Sequence, residues 1–285
     1  MRQSFAVGGA TVSALTAGDG SPLVLLHGTP TGAELWRHLV EPLAAAGHRV
    51  LAPDLPGYGA TRLPPGGDHS LAGAADLLAR WIEVEGNGAA WVVGHDTGGG
   101  VAQILAVRHP SLLARLTLVN SIADGSWPAP RARFATLAAR LHLYRPAAWM
   151  HLVPNPYLRR EVRRGFADRR VADTLAADAA RIFWDGKFSD PEGRRSFERH
   201  LAALRPADTA AVVDALARLT VPCQLVWGTA DPFQAWDTAG RRLRGLLPEP
   251  DVTLLDGCGH FVPLECPERF VAALLDWAGS SRGDR

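Results

Sequence analysis

Six short apolar runs, spaced along most of the chain, constrain its fold more than any other feature of the sequence. They cover residues 23–26, 49–52, 90–93, 116–119, 224–227 and 252–255. Each run is apolar almost without interruption, which is typical of strands buried on both faces of a parallel sheet. Segments with a helical pattern separate most of them, at residues 32–46, 71–85, 100–108, 235–247 and 267–277. This alternation predicts a doubly wound α/β architecture.

An antiparallel hairpin is predicted to precede these strands. Gly8 and Gly9 lie between residues 4–7 and 10–15, and a Gly pair between two strand-like runs is typical of a two-residue turn. The hairpin brings the number of predicted strands to eight, and we expect the later six to be mostly parallel.

The alternation of strand and helix stops once, between about residues 125 and 219. This stretch is rich in Arg and in helix-favouring residues, and it carries no convincing core strand. We therefore predict a helical cap domain at residues 125–219. It would be inserted into a core domain formed by residues 1–124 and 220–285, over the catalytic edge of the sheet.

The composition excludes several classes of function. The 285 residues carry a formal net charge of +1 and are 47% hydrophobic. Binding to nucleic acid or to a membrane surface normally requires a marked basic excess or a basic amphipathic face. No apolar stretch approaches the roughly 20 residues that span a bilayer, and the N-terminus lacks a secretory core. We expect a cytoplasmic protein with a small-molecule substrate, as a monomer or homodimer.

The three cysteines give no sign of a metal site or of redox work. Cys223, Cys258 and Cys266 lack metal-ligand spacing, and an odd number in a long chain favours a reducing compartment. Cys258 lies two residues before His260, but we interpret it as a buried structural thiol rather than a reactive one. No metal and no cofactor are predicted.

Asp96 lies in the turn GHDTGG at residues 94–99, between the apolar run at 90–93 and a helical segment. A strand, a Gly-x-nucleophile-x-Gly turn and a helix form a nucleophile elbow, a tight turn that lifts one side chain clear of the sheet. A carboxylate that attacks an acyl carbon gives a mixed anhydride, whereas one that attacks a saturated carbon gives an ordinary ester that water can open. Asp96 therefore predicts displacement at an sp3 carbon.

His260 and Asp231 are predicted to complete a catalytic triad with Asp96. His260 follows the last predicted strand, in the loop GCGH at 257–260. An imidazole with an ordinary pKa of about 6.5 is largely neutral at pH 7 and can take a proton from water. Asp231 follows the preceding strand, where a carboxylate can accept the imidazole N–H and fix its tautomer.

Five motifs stand in the order found in one known family. They are LHGTP at 26–30, DLPGYG at 54–59, GHDTGG at 94–99, WGTADP at 227–232 and GCGHFVP at 257–263. Together they resemble the capped α/β-hydrolases that use an Asp nucleophile, chiefly epoxide hydrolases and haloalkane dehalogenases. The resemblance covers nearly the whole chain apart from the cap. It implies the α/β-hydrolase fold, with a mostly parallel eight-stranded sheet flanked by helices and an inserted helical cap, and a cofactor-independent reaction.

The resemblance also implies roles for the residues around Asp96. The backbone N–H groups of Thr29 and Thr97 would form the oxyanion hole, acting on the Asp96 carbonyl oxygen during ester hydrolysis. His27 would orient the Thr29 loop, and His95 would pack behind the nucleophile.

The family leaves two places open for the acid. Some relatives carry it after the sixth strand, where this chain has Asp124, and Asn120 lies closer to the expected place. We favour Asp231, and interpret Asp124 as a turn or helix-cap residue.

The leaving group distinguishes the two main activities of the family. Dehalogenases usually place Trp directly after the nucleophile and Asn in an HGNP motif, and this chain has Thr97 and Thr29 there. The carboxylate-binding Arg residues of fluoroacetate dehalogenases correspond to Thr97 and Gly100. The usual halide and carboxylate contacts are therefore missing, which favours an epoxide, whose alkoxide needs a hydrogen-bond donor.

Epoxide hydrolases of this family usually supply that donor from two cap tyrosines. Tyr144 falls roughly where the first is expected, but no tyrosine lies near Phe197, His200 or Leu201, where the second is expected. The candidate donors are Tyr144, Trp149, Trp184 and His151. The side chains expected to line a pocket for a bulky or aromatic substrate are His27, His95, Trp149, Trp184 and Phe261.

The leading hypothesis is an epoxide hydrolase in which Asp96 forms an alkyl ester and His260 activates the water that hydrolyses it. The alternatives are a haloalkane-type dehalogenase, a biosynthetic hydrolase or cyclase acting on a polyketide-like compound with the same triad, and a hydrolase-derived ligand receptor. An intact set of nucleophile, base and acid argues against the receptor.

Overall fold

Eight strands form one sheet in the computed structural model, which describes residues 1–85, 88–124, 126–127, 130–145, 156–175, 178, 180–184 and 190–280. The strands are β1 Arg2–Val7, β2 Ala10–Ala17, β3 Ser21–Leu26, β4 His48–Pro53, β5 Ala90–His95, β6 Leu113–Val119, β7 Cys223–Gly228 and β8 Asp251–Leu255. Their order across the sheet is β1-β2-β4-β3-β5-β6-β7-β8. Strand β2 pairs antiparallel with β1 and β4, and β3 to β8 pair parallel. The predicted eight-stranded, mostly parallel sheet is confirmed.

Helices flank the sheet and occupy much of the described part of the segment between β6 and β7. The α-helices of the described residues are α1 Val40–Ala45, α2 Leu71–Glu85, α3 Thr97–Arg108, α4 Pro130–Arg140, α5 Pro156–Arg164, α6 Arg169–Thr174, α7 Pro191–Ala203, α8 Pro206–Ala210, α9 Val213–Leu216, α10 Arg241–Leu246, α11 Val262–Glu265 and α12 Pro267–Ala278. Short 3-10 turns occur at Ala33–Trp36 and Pro110–Leu112, and π turns at Ala180–Trp184 and Trp236–Gly240.

The central strands are buried on both faces, which explains their unbroken apolar sequence. In β3, Val24 and Leu26 pack into a core with α2 and α3, whereas Leu23 and Leu25 pack into a second core with α1 and α12. Successive side chains of a strand point to opposite faces, so a sheet covered on both sides needs an apolar residue at every position. Each of these four side chains is fully buried, which stabilises the fold by about 1.5–3 kcal/mol per side chain.

The segment predicted at 32–46 as one helix is broken in two. A 3-10 turn at Ala33–Trp36 precedes α1. Asp54 accepts the Ala33 N–H at 2.9 Å and so fixes the start of the 3-10 turn. Pro42 lies in the first turn of α1, where its missing N–H is tolerated, so the helix begins anew there.

Helices α4 to α9 lie in the predicted cap, between β6 and β7. Arg62 of the core pairs with Asp190 at 2.9 Å, and Trp127 donates to Thr209 at 3.0 Å. The boundaries at 124/125 and 219/220 stay a prediction. Trp149 and His151, two of the candidate donors, lie outside the described residues.

The parallel strands bring the predicted triad to one edge of the sheet. Asp96 follows β5, Asp231 follows β7 and His260 follows β8, and Thr29 follows β3. Because β3, β5, β7 and β8 run in the same direction, the loops after their carboxyl ends meet along a single edge, where open α/β sheets bind ligands.

Candidate active site

Asp96 occupies a strained backbone position at the tip of the turn between β5 and α3. Its φ is 48° and its ψ is −119°, a conformation that non-glycine residues rarely adopt and that costs roughly 1–3 kcal/mol. Gly28 allows the loop after β3 to approach this turn closely, because a Cβ at Gly28 would lie 2.5 Å from the Asp96 Cβ. Gly98 has the same role, since its Cβ would lie 2.3 Å from the His27 carbonyl oxygen. Gly28 and Gly98, one from each loop, therefore allow the Asp96 turn to pack closely against the loop after β3.

The Asp96 carboxylate is buried and held by backbone N–H groups. Thr29 donates its N–H to Asp96 Oδ2 at 3.0 Å. Burial raises the pKa of Asp96 above its ordinary value, although the nearby His260 and the N–H groups of Thr97 and Thr29 act to lower it. The two N–H groups that the sequence predicted as an oxyanion hole thus both face the carboxylate.

His260 and Asp231 form a buried hydrogen-bonded pair. His260 Nδ1 donates to Asp231 Oδ2 at 2.8 Å, since a carboxylate oxygen can only accept. Asp231 Oδ2 also accepts from Asn120 Nδ2 at 2.7 Å. Its Oδ1 accepts the N–H groups of Phe233 at 2.7 Å and of Gln234 at 3.1 Å. This network fixes the proton on Nδ1 and leaves the lone pair on Nε2 of the neutral ring.

The pair shifts the pKa of both partners. For His260, burial disfavours the imidazolium, but the Asp231 charge and hydrogen bond outweigh it, so the pKa of His260 is raised. For Asp231, burial favours the neutral acid, but the charge and hydrogen bond of His260 and the N–H donors outweigh it, so the pKa of Asp231 is lowered. The arrangement suits a base that becomes transiently charged next to a permanent carboxylate.

Asp124, the alternative acid, lies elsewhere. Its carboxylate pairs with Arg242 at 3.3 Å and is 31% exposed. The residue that follows β6 and reaches the catalytic pair is Asn120, which sits at a φ of 40° and also accepts the Gly228 N–H at 3.0 Å. The carboxylate that contacts His260 is therefore that of Asp231.

The two histidines of the predicted pocket are fully buried and bound to backbone. His27 Nε2 accepts the Leu55 N–H at 3.0 Å, and its Nδ1 donates to the Gly28 carbonyl at 3.0 Å. His95 Nε2 donates to the His260 carbonyl at 2.9 Å, and burial lowers the pKa of His95 to about 3. His27 ties the β3 loop to the β4 loop, and His95 supports the backbone of His260. Neither ring presents a surface to solvent.

Two further residues of the predicted pocket, Phe261 and Trp184, belong to an aromatic cluster around His260. The Phe261 ring lies 5.0 Å from the His260 ring, 5.0 Å from Phe166 and 5.1 Å from Phe183. Trp184 follows Phe183 in the π turn and is 7% exposed. These contacts join the cap to the loop that carries the base.

Tyr144, the candidate donor of the cap, is buried in a second aromatic group. Its ring lies 5.4 Å from Phe197, which in turn lies 5.3 Å from Tyr58. Burial raises the pKa of Tyr144, so its hydroxyl is a neutral donor.

Sequence reasoning missed Tyr58 and His200. The Tyr58 hydroxyl lies 2.6 Å from Thr29 Oγ1, and the Tyr58 ring packs edge-on against His200 at 5.0 Å. His200 Nδ1 donates to the His69 carbonyl at 3.1 Å. The signal for Tyr58 was present, because the DLPGYG loop follows β4, the strand paired with β3, and so borders the Thr29 loop. His200 lies where the second cap tyrosine of the family was expected, but its contact with Tyr58 was not predicted.

Cys258 and Cys266 are joined by a disulfide in the structure. The expectation that the cysteines are reduced thiols is wrong for this pair, while Cys223 is a buried free thiol as expected. Sequence separation alone did not reveal the pair, because a helix, α11, returns the chain from the His260 loop to Cys266.

Comparison with known proteins agrees with this geometry. A family model described as the alpha/beta hydrolase family matches residues 23–273. The chain belongs to the alpha/beta hydrolase family. This hydrolase is 30% identical over 270 residues to a haloalkane dehalogenase of Mycobacterium marinum, covering 91% of the chain and 85% of that protein. It is also 30% identical over 276 residues to a soluble epoxide hydrolase of Corynebacterium sp. strain C12, covering 92% of the chain and 91% of that protein.

Solved structures give the same picture. An alpha/beta hydrolase fold protein from Burkholderia ambifaria superimposes with a TM-score of 0.83 at 27% identity, covering 96% of this hydrolase and 97% of that chain. The unliganded epoxide hydrolase CorEH superimposes with a TM-score of 0.79 at 26% identity, covering 98% of each chain.

Two kinds of feature are absent from the part of the chain that the structure describes. Within those ranges, no helix combines the length and apolar character needed to cross a bilayer. The same residues contain no group of three or more His, Cys, Asp and Glu side chains arranged to hold a metal ion.

Proposed function

We propose that this hydrolase opens epoxides through an ester of Asp96, which water activated by His260 then hydrolyses. The observation that carries the proposal is the elbow carboxylate itself. Asp96 stands at the tip of the elbow, and its Oδ2 accepts the Thr29 N–H at 3.0 Å. The His260 ring, oriented by Asp231, lies close enough for its protonated form to lower the pKa of Asp96.

In the first step an Asp96 carboxylate oxygen attacks an epoxide carbon. The carbon–oxygen bond of the ring breaks, and the departing oxygen keeps the bonding electron pair and takes a proton from a donor. The product is a β-hydroxyalkyl ester of Asp96. The buried carboxylate is poorly solvated, so little water must be displaced before it attacks.

In the second step water attacks the Asp96 carbonyl carbon while His260 Nε2 takes a proton from it. Charge develops on the carbonyl oxygen, where the N–H groups of Thr29 and Thr97 donate. The tetrahedral species collapses, the His260 proton goes to the departing alkoxide, and a 1,2-diol leaves. Neither step transfers electrons to a carrier, so the cycle needs only water as a second substrate.

The surroundings favour a bulky or aromatic epoxide. Phe261 and Phe183 line the cap side of His260, and Phe233 lies 5.2 Å from the His260 ring. The soluble epoxide hydrolase among the relatives supports the reaction class.

A dehalogenase is the second candidate, because haloalkane dehalogenases are equally similar in sequence. The hydroxyls of Thr29 and Thr97 next to Asp96 argue for an oxygen leaving group, since a hydroxyl can pass a proton to an alkoxide and a departing halide needs none.

A trapping experiment separates the candidates. The His260→Gln protein should form the ester but hydrolyse it slowly, so incubation with styrene oxide should add the mass of the whole epoxide, located at Asp96 by peptide mapping. The Asp96→Ala, His260→Gln double variant should gain nothing. If no epoxide of a small and bulky panel labels the protein, while organohalides release halide and add only their alkyl group, the dehalogenase is correct.

A further inference from the structure

Three hydroxyl groups lie in contact beside the nucleophile. The Tyr58 hydroxyl is 2.6 Å from Thr29 Oγ1, and Thr29 Oγ1 is 3.1 Å from Thr97 Oγ1. We call these three groups the hydroxyl chain. Its position is fixed by the backbone, because the Thr29 N–H donates to Asp96 Oδ2 at 3.0 Å and Thr97 directly follows Asp96. The hydroxyl chain therefore adjoins the carboxylate that would attack the substrate.

Thr29 is the member of the hydroxyl chain that can reach a ligand. Tyr58 and Thr97 are buried, whereas Thr29 is only partly buried. Either hydroxyl can donate in each of the two contacts, and Thr29 Oγ1 has two lone pairs, so it can accept from Tyr58 and from Thr97 at the same time. The Thr29 hydrogen is then available to a group in front of it.

We propose that Thr29 donates its hydroxyl hydrogen to the oxygen that leaves the epoxide carbon, and that Tyr58 replaces this hydrogen from behind. The proposal rests on the epoxide-opening function and assigns its proton donor to the core rather than to the cap.

The proton movements balance. As the ring C–O bond breaks, the Thr29 proton goes to the departing oxygen and the Tyr58 proton goes to Thr29 Oγ1, which leaves a phenolate on Tyr58. Hydrolysis of the ester later forms the Asp96 carboxylic acid, and its proton returns to Tyr58. The cycle ends with neutral Tyr58 and ionised Asp96, as it began.

The electrostatics of the site change in the direction that this relay needs. Burial raises the pKa of Tyr58, and the negative charge of Asp96 raises it further. Formation of the ester removes the Asp96 charge in the same step that calls for the Tyr58 proton. The phenolate is therefore least disfavoured while the ester exists, and reprotonation is favoured when the carboxylate returns.

The surrounding residues hold Tyr58 in place for this role. Its ring packs edge-on between His27 at 4.7 Å, Phe197 at 5.3 Å and His200 at 5.0 Å. Gly57, at a φ of 97°, allows the cap helix to approach, because a Cβ there would lie 2.6 Å from the His200 Cβ. The phenol thus has one fixed orientation, with its hydroxyl on Thr29.

The test measures the two chemical steps separately with styrene oxide. In the His260→Gln background, rapid quench and intact mass follow formation of the ester; with His260 intact, single turnovers follow its hydrolysis. Tyr58→Phe and Thr29→Val should each slow ester formation about 100-fold, the usual contribution of a general acid, and leave hydrolysis nearly unchanged. Thr29→Ser should restore most of the rate lost in Thr29→Val, because it restores the hydroxyl. Tyr144→Phe, measured in the same way, tests the cap tyrosine as an alternative proton donor.

The outcomes are distinct. Loss of ester formation alone, with rescue by Ser, supports the proposal. Equal slowing of both steps by Tyr58→Phe would assign Tyr58 a structural role and overturn the proposal. A normal rate of ester formation in Tyr58→Phe, together with a reduced rate in Tyr144→Phe, would also overturn it, because the donor would then lie in the cap. Thermal melting of each variant verifies folding. If no ester forms even with all three hydroxyls present, the epoxide-opening function itself has failed, and the mass of the His260→Gln protein shows this independently.

Discussion

Asn120 donates a hydrogen bond at 2.7 Å to Asp231 Oδ2, the oxygen that also receives the His260 N–H. The side-chain carbonyl of Asn120 accepts the Gly228 N–H at 3.0 Å, so one amide joins the end of β6 to the end of β7. Asp231 follows β7, but its carboxylate is also held by Asn120, which follows β6.

Replacement of Asn120 should weaken both folding and catalysis. Asn120→Ala removes three buried hydrogen bonds and puts alanine, which tolerates a positive φ less well than asparagine, at a φ of 40°, so the free energy of unfolding should fall by about 2–4 kcal/mol. Asn120→Gly loses the same bonds without the backbone strain and should be about 1 kcal/mol more stable than the Ala variant. Urea unfolding measures both; equal stabilities would refute the strain component.

Asp231→Asn should slow ester hydrolysis far more than Asp124→Asn. The first variant removes the acceptor that fixes the His260 tautomer, an effect of about 10⁴ in comparable triads. The second removes only a partly exposed ion pair with Arg242 and should leave turnover close to wild type. Single-turnover hydrolysis of the ester is the measurement, and a larger defect in the Asp124 variant would reassign the acid.

Ester hydrolysis should be lost as the pH falls through the raised pKa of His260. Burial lowers that pKa, but the Asp231 charge and hydrogen bond raise it by more. Only the neutral ring can accept a proton, so the acid limb of the rate profile should lie above about pH 6.5. Single-turnover hydrolysis of the ester in the protein with His260 intact, followed from acidic to alkaline pH, tests this; a limb on the acid side of that value would show that burial dominates instead.

Gly165→Ala should impair catalysis although Gly165 lies in the cap. A Cβ there would come within 2.4 Å of Phe261 Cε2, so the ring or the His260 loop must move. We expect turnover to fall at least tenfold, since a misplacement of about 1 Å can cost about 10² in rate. Gly245→Ala is the matched control, because its Cβ would meet nothing within 4 Å. Similar turnover rates for the two variants would show that the Gly165 segment of the cap does not position His260.

Reduction of the Cys258–Cys266 disulfide should lower the free energy of unfolding by about 2–3 kcal/mol, the value expected for a short closed loop. Melting temperature with and without dithiothreitol measures the effect. Cys266→Ser should melt at a lower temperature and lose its response to the reductant, whereas Cys223→Ser should keep the response. Intact mass after alkylation reports the bond directly, and three free thiols in the untreated protein would contradict it.

The sheet and the elbow could be predicted because each leaves a local pattern. The apolar runs report burial on both faces, and the Gly positions of 94–99 report a turn pressed against β3, as Gly98 proves to be. Asp231 and His260 followed from their positions after successive strands. The break of the 32–46 segment before α1 also had a local cause, because Pro42 lacks the N–H that a continuous helix would need.

The remaining parts depend on contacts between distant segments. The Asn120 amide acquires its function only when β6 and β7 lie side by side. Tyr58 meets Thr29 through the crossing of the β3 and β4 loops, and His200 reaches Tyr58 from the cap. The sequence pattern alone does not predict such contacts, because the residues are far apart in the chain and come together only in the folded structure.

The backbone N–H of His260 donates to the Gly165 carbonyl at 2.6 Å, so the inserted segment holds the main chain of the base. This limits how the protein can be re-engineered. A chimera that exchanges the whole insertion between relatives would also exchange a backbone anchor of the imidazole. Transplants intended to change substrate choice should therefore keep the stretch around Gly165 together with the recipient's own histidine loop.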